Sequence, residues 1–150
     1  MARFGFGGTK DATSVRTIIN MNAAAANMRR FKLYDFQIGS NATPADLAFI
    51  YEVNRITTVG TLTAVVPMAI DQADTLASTV LCGNIITVEP TITAASKLFA
   101  VPMNQRASMR WAAVPGGELT VPATASAGLM IGLSAASTTT FGAGANFDEQ

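Results

Sequence analysis

Residues Leu98 to Pro122 read LFAVPMNQRASMRWAAVPGGELTVP, and the fold class turns on how this stretch is punctuated. Strand-length runs at Lys97–Met103 and Ser108–Val114 precede a Pro115-Gly116-Gly117 turn, and Glu118–Val121 comes after it. The only tryptophan, Trp111, lies in the second run, with Arg106 and Arg110 before it and Glu118 opening the third. The spacing predicts a hairpin across the Pro-Gly-Gly turn. In it, Trp111 is a core or interface anchor, and Arg110 and Glu118 form a surface or interface ion pair flanking the turn.

The same rhythm extends outward from this segment. Upstream, Val15–Ile19, Arg29–Ile38, Leu47–Thr57, Thr61–Val66 and Ile85–Glu89 have strand character, and downstream Leu129–Leu133 and Thr139–Asp148 do. In Arg29–Ile38 a period of two sets Phe31, Leu33 and Asp35 on one side and Lys32, Tyr34, Phe36 and Ile38 on the other. Pro67 demotes the residues after it to an edge or a bulge. Only Ile70–Leu81 has helical spacing, with Asp71 as its N-cap and Ala73, Leu76, Ala77 and Val80 on one face. Short strands separated by Gly and Pro predict an all-β fold, a jelly-roll-like antiparallel β-sandwich with at most one short helix. Parallel α/β architectures are excluded, because their crossovers need helices that the chain does not supply.

Residues 1–14 are glycine-rich, with Phe4 and Phe6 as aromatic pegs, and predict an extended arm ahead of a single domain over residues 15–150. GFGGTK has neither the third glycine of a dinucleotide loop nor the Gly-Lys-Ser/Thr of a P-loop, so phosphate binding is not the expectation. Large apolar residues favour an arm that grips a neighbour over a free tail. Arg3, Phe4, Phe6 and Arg16 are its candidate contacts; Arg106, Arg110 and Glu118 are those of the hairpin.

Composition bounds the chemistry. Only 13% of the 150 residues are charged, against roughly 25% in ordinary globular chains, while 49% are apolar. Such a surface calls for cover by neighbouring subunits. Net charge is zero but uneven: residues 1–60 hold seven Lys or Arg against four Asp or Glu. No long basic run invites nucleic acid. The charge-free span Leu119–Phe147 is too interrupted by Gly, Pro, Ser and Thr to be a membrane helix. The N-terminus has no apolar signal-peptide core.

There is no histidine, and Cys82 is the single cysteine. That removes Ser-His-Asp and Cys-His nucleophile pairs, His-rich zinc sites and any internal disulfide. Asp71 and Asp74 lack the Asp-x-Asp-x-Asp-Gly pattern of a calcium loop. Glu52, Glu89 and Glu118 could be set as a glycosidase pair with Trp111 as sugar platform, but one Trp and two Tyr do not furnish an aromatic groove. The expectation is a non-enzyme with no cofactor and no metal.

The combination of NATPADL at Asn41–Leu47, TVEPTITA at Thr87–Ala94 and MNQRASMRWAAVPGGELTVPA at Met103–Ala123 resembles small virion proteins of tailed phages, especially environmental and cyanobacterial ones. These are head decoration, or cement, proteins. The resemblance runs from about Arg29 to the C-terminus and leaves the glycine-rich segment outside. It implies a jelly-roll-like sandwich that binds the major capsid protein on the outside of the head, made in the bacterial host cytoplasm, and it carries over no catalytic residue. Self-association is expected with it, a trimer first and a dimer second. Another virion component, such as a tail, fibre-base or jelly-roll capsid protein, and a carbohydrate-binding β module are the alternatives.

Overall fold

The alternation read from the sequence becomes twelve strands: β1 (Ala2–Asp11), β2 (Thr17–Ala23), β3 (Phe31–Ser40), β4 (Ala48–Ile56), β5 (Thr61–Val65), β6 (Met68–Ala69), β7 (Val80–Val88), β8 (Ile92–Asn104), β9 (Met109–Ala112), β10 (Leu119–Val121), β11 (Gly128–Leu133) and β12 (Thr140–Glu149). This is a computed structural model, and it describes residues 2–150. Four nested antiparallel pairs organise the chain: β1 with β12, β2 with β11, β3 with β9 and β10, and β4 with β8. Pairing of β12 with β3 and of β11 with β4 rolls the nest into two facing sheets. Two antiparallel sheets wound in this order are a jelly-roll β-sandwich. The segment between β4 and β8 adds strands to both: β7 joins β2, β5 joins β7, and β6 joins β1 on the other sheet.

Between the sheets, alternate residues bury a continuous apolar core. Phe4, Phe31 and Phe147 form an aromatic centre, with Phe4 and Phe147 stacked at 5.7 Å and Phe31 edge-on to Phe147 at 5.8 Å. Ile19, Val53, Leu129 and Ile131 face them from the second sheet. Two polar ties cross or close the sandwich: Arg55 Nη1 donates to the Thr120 carbonyl (3.0 Å) and Tyr51 Oη to that of Ala107 (2.9 Å). Cys82 is buried, and burial pushes its thiol well above the usual range, so it stays protonated and inert, as a small apolar residue would.

The strict period of two predicted for β3 is broken once. Asn146 pairs with Asp35, but its neighbour Phe147 pairs with Leu33, leaving Tyr34 as an extra residue in a β-bulge. The bulge changes the phase of the strand, so that Phe31, Leu33, Phe36 and Ile38 are all buried. Asp35, placed by the simple alternation with Phe31 and Leu33, instead shares the outer face with Asn146.

Residues 2–11 are a strand of the sheet, and the expectation of an extended arm is corrected here. All ten residues of β1 pair in register with β12, and Phe4 is 1% exposed. The glycines do not loosen the segment, because Gly7 and Gly144 face each other in the ladder, and Phe4 and Phe6 act as core-facing anchors in between. Single-sequence reading sees glycine as flexible; a paired strand with a long partner overrides that preference.

The predicted helix over Ile70–Leu81 is absent. Asp71 Oδ1 accepts from the Ala73 N–H and Asp74 Oδ1 from the Leu76 N–H, each at 3.0 Å, so both side chains close local turns in competition with helical bonding. Leu76 remains exposed, and Val80 already belongs to β7. A helix of three turns with no face to bury has little to hold it.

Two outcomes are expected from the role of β1. Phe4→Ala should cost about 3–5 kcal/mol in urea denaturation, as for other buried Phe truncations. Deletion of residues 1–11 should abolish cooperative unfolding altogether; a deletion variant with an intact transition would contradict the role given to the strand.

Candidate assembly surface

The Trp111 segment does not form the predicted hairpin. β9 and β10 do not pair with each other; both lie along the same edge of β3, Met109–Ala112 opposite Ile38–Asp35 and Leu119–Val121 opposite Leu33–Phe31. They are two pieces of one edge strand, and only Tyr34 stands opposite the gap. Residues 113–118 therefore leave the sheet where the bulge sits. Ala113 N–H still reaches the Tyr34 carbonyl (2.8 Å), after which the chain turns at Val114-Pro115-Gly116-Gly117. A 2.8 Å bond from the Gly117 N–H to the Val114 carbonyl, Pro at the second position and Gly116 at φ +84° make this a type II turn. Val114 at its start is 73% exposed, and a Cβ added to Gly116 would meet nothing within 4 Å.

With β9 and β10 end to end, Arg110 and Glu118 are held apart, and the predicted ion pair between them is replaced. Arg110 lies across β3 and forms a fork with Asp35, Nε to Oδ1 at 3.0 Å and Nη2 to Oδ2 at 2.9 Å, while Asn146 Nδ2 donates to the same Oδ2 at 3.1 Å. The Arg110 hydrogen bonds hold the Asp35 carboxyl below the usual range against the opposing effect of burial, with Asn146 adding to them. Glu118 instead accepts from the Gly116 N–H at 3.2 Å, and backbone N–H donors lower its carboxyl too. Trp111 points inward between the sheets, where its ring meets Phe36 at 5.5 Å and Phe99 of β8 at 5.0 Å. It closes the open side of the sandwich between the edge strands β9 and β8.

Outside that wall, the outer face of the β9-β3-β12-β1 sheet carries a shallow trough. The register sets Arg110, Gln37, Gly144 and Gly7 in one row and Gly39, Gly142 and Thr9 in the next. Two depressions, of about 550 and about 320 Å³, meet at Gln37 and Arg110. Glycines form the floor, and the side chains of Gln37, Ser108, Asn41 and Arg110 rise around it.

A second surface lies on the opposite flank, where β5, the corner to β6 and the segment 70–79 wrap the β1–β2 side. Val66 is 77% exposed, Met68 71% and Leu76 61%, with Ile70 and Val88 also open to solvent. Residues 56–96 contain no Lys or Arg, and Asp71, Asp74 and Glu89 are their only charges. The Ile70 N–H bonds to the Arg3 carbonyl (2.9 Å), which docks this segment on β1. None of these apolar residues was among the sequence candidates. The missed signal was the absence of cations across this long span, obscured by giving Leu76 and Val80 to one helical face.

The other candidates fall in several places. Arg3 is exposed on β1 opposite Asp148. Phe4 is core and cannot touch a neighbour; Phe6 is half-buried against Phe147. Arg16 serves its own chain, with Nε 3.3 Å from Glu89, Nη1 3.8 Å from buried Glu52, and Nη1 donating to the Ser134 carbonyl. Arg106 is exposed in the turn between β8 and β9. Among the described residues there is no cluster of three His, Cys, Asp or Glu set to hold a metal ion, and no helix is long and apolar enough to cross a membrane. Comparison with protein-family models, curated proteins and solved structures gives no match to this chain.

The Asp35 carboxyl supplies a pH test. Because its folded value is depressed, its stabilisation is present above the unfolded value of about 3.9 and is lost as pH falls through the folded value. Asp35→Asn is expected to melt a few degrees below the wild type at neutral pH. The difference should begin to shrink as pH falls below the unfolded value and vanish only once the pH lies below the depressed folded value, where the wild-type carboxyl is also neutral; a gap independent of pH would assign the loss to packing.

Proposed function

We propose that this chain is a structural virion protein that decorates and cements the exterior of a tailed-phage capsid by binding the major capsid protein. The resemblance carried by residues 41–47, 87–94 and 103–123 motivates the reading. The structural observation that supports it is the exposed apolar flank formed by Val66, Met68, Ile70 and Leu76. A chain with 13% charged residues that also exposes Val66, Met68, Ile70 and Leu76 within one short segment has a surface suited to permanent burial against another protein. The charges of segment 66–79 itself, Asp71 and Asp74, are both negative, so a complementary capsid surface is apolar with basic groups at its rim. Cementing needs no chemistry, only a rigid body that bridges neighbouring capsid subunits, and a sandwich closed by ten-residue ladders supplies one.

The test uses heads purified from the phage that encodes the chain, stripped of it and then supplied with recombinant protein. Wild-type protein is expected to co-sediment in numbers comparable with the capsid protein and to raise the temperature at which heads rupture. Met68→Asp combined with Leu76→Asp, both exposed in the free chain, should leave the melting temperature of the isolated protein unchanged and cut occupancy at least tenfold, about 1.4 kcal/mol or more of binding. Wild-type protein that ignores stripped heads, or particle images that place it only on the tail, would overturn the reading.

A further inference from the structure

The bulge at Tyr34 sets where the edge strand opens, but packing inside the chain requires neither the bare glycine floor of the trough nor the length of the Val114–Gly117 turn. Glycine within a strand costs stability relative to alanine and often marks a place where another backbone or a ligand comes close. At Gly142 a Cβ would sit 3.4 Å from Thr9 Cγ2, and at Gly144 it would sit 3.5 Å from Gln37 Nε2, which are ordinary contacts. Packing within the chain does not demand glycine at either position. The floor is bare toward the outside.

The turn presents the converse. β9 could run into β10 along β3 with a single residue opposite Tyr34, yet six residues, 113–118, are spent there. Residues 114–117 are all exposed, and the two hydrogen bonds from Gly116 and Gly117 close the loop on itself. Its tip is narrow and uncharged, and the Glu118 carboxylate stands at its base. Across the trough, Arg110 gives Nε and Nη2 to Asp35, which leaves Nη1 to face outward on a side chain 69% exposed.

We propose that a second copy of this chain occupies the trough: the Val114–Gly117 turn of one copy seats on the Gly142–Gly144 floor of the next, with Glu118 of the first reaching Arg110 of the second. An uncharged tip meets bare backbone, and a carboxylate meets a guanidinium with a donor to spare. The Arg110–Glu118 pairing suggested by their closeness in sequence is then made between copies. Turn and trough are different surfaces, so the contact is heterologous and repeats around a closed ring, for which three copies is the smallest number beyond a pair. Contact between copies of this kind is independent of any capsid.

Sedimentation of the full chain tests it. The wild type is expected to be a closed oligomer. Val114→Asp removes the tip at a solvent-exposed position, and Gly144→Val fills the floor where a Cβ has room. Each variant alone should sediment as a folded monomer, with circular dichroism unchanged. Mixed in equal amounts they should form a one-to-one dimer and stop there, because each pair retains one intact turn and one intact trough. A monomeric wild type, either variant assembling as the wild type does, or a mixture that stays monomeric would overturn the proposal. Protein that forms the ring but leaves stripped heads uncoated would overturn the capsid reading alone.

Discussion

The phase of β3 is the constraint on which the rest of one sheet depends. Phe31, Leu33, Phe36 and Ile38 must all reach the core, yet a regular strand cannot turn both Leu33 and Phe36 the same way, since they are three residues apart. One extra residue, Tyr34, resolves the conflict. The bulge has three effects at once. It keeps four large side chains dry, it moves Asp35 to the outer face where Arg110 and Asn146 can satisfy its carboxylate, and it opens the neighbouring edge strand into β9 and β10. The projecting turn and the polar rim of the trough thus have a common origin in a single unpaired residue.

Closure of the roll depends in turn on β1. Ten consecutive pairs with β12 join the two ends of the chain, and Phe4 stacks on Phe147 beneath them. β1 also carries β6 on its free side, so the flank segment is built upon the N-terminal strand. The edges left over are mostly short: two residues in β6, five in β5, and the broken β9–β10 pair, a recognised way of blunting sheet edges against indiscriminate pairing. β8 is long, with thirteen residues, but holds Pro102, which has no N–H to offer. The sheet edges therefore do not invite strand addition, and the exposed features that remain are side-chain surfaces: the apolar flank and the turn with its trough.

Buried charge is handled locally. Glu52, on the second sheet, is met by Lys97 Nζ at 2.8 Å and by Arg16 at 3.8 Å, and Arg16 is shared with Glu89. Glu149, almost fully buried at the end of β12, accepts from the Ser78 hydroxyl and from the Thr79 N–H and hydroxyl, which pins the start of β7 beside the chain terminus. These ties use charges that looked free in the sequence. They leave Arg3, Arg106 and the Nη1 side of Arg110 among the cationic groups available at the surface.

Strand rhythm, Gly and Pro punctuation and the scarcity of helix sufficed for an all-β sandwich of jelly-roll kind, because those signals are local and agree with one another along the chain. Trp111 was legible as an anchor for the same reason: a lone large aromatic inside an apolar run has few places to go. Pairing was not legible. Whether Ala2–Asp11 is an arm or a strand depends on its having β12 as a partner more than a hundred residues away, and whether Val114–Gly117 joins a hairpin or interrupts an edge depends on β3. Glycine content and a turn motif are compatible with either outcome. Local pattern was thus enough for the class of fold and for the kinds of residue that must be covered. Which segments pair, and where exposed apolar side chains gather, was settled only in three dimensions, since register, bulges and edges arise from contacts between segments far apart in the chain.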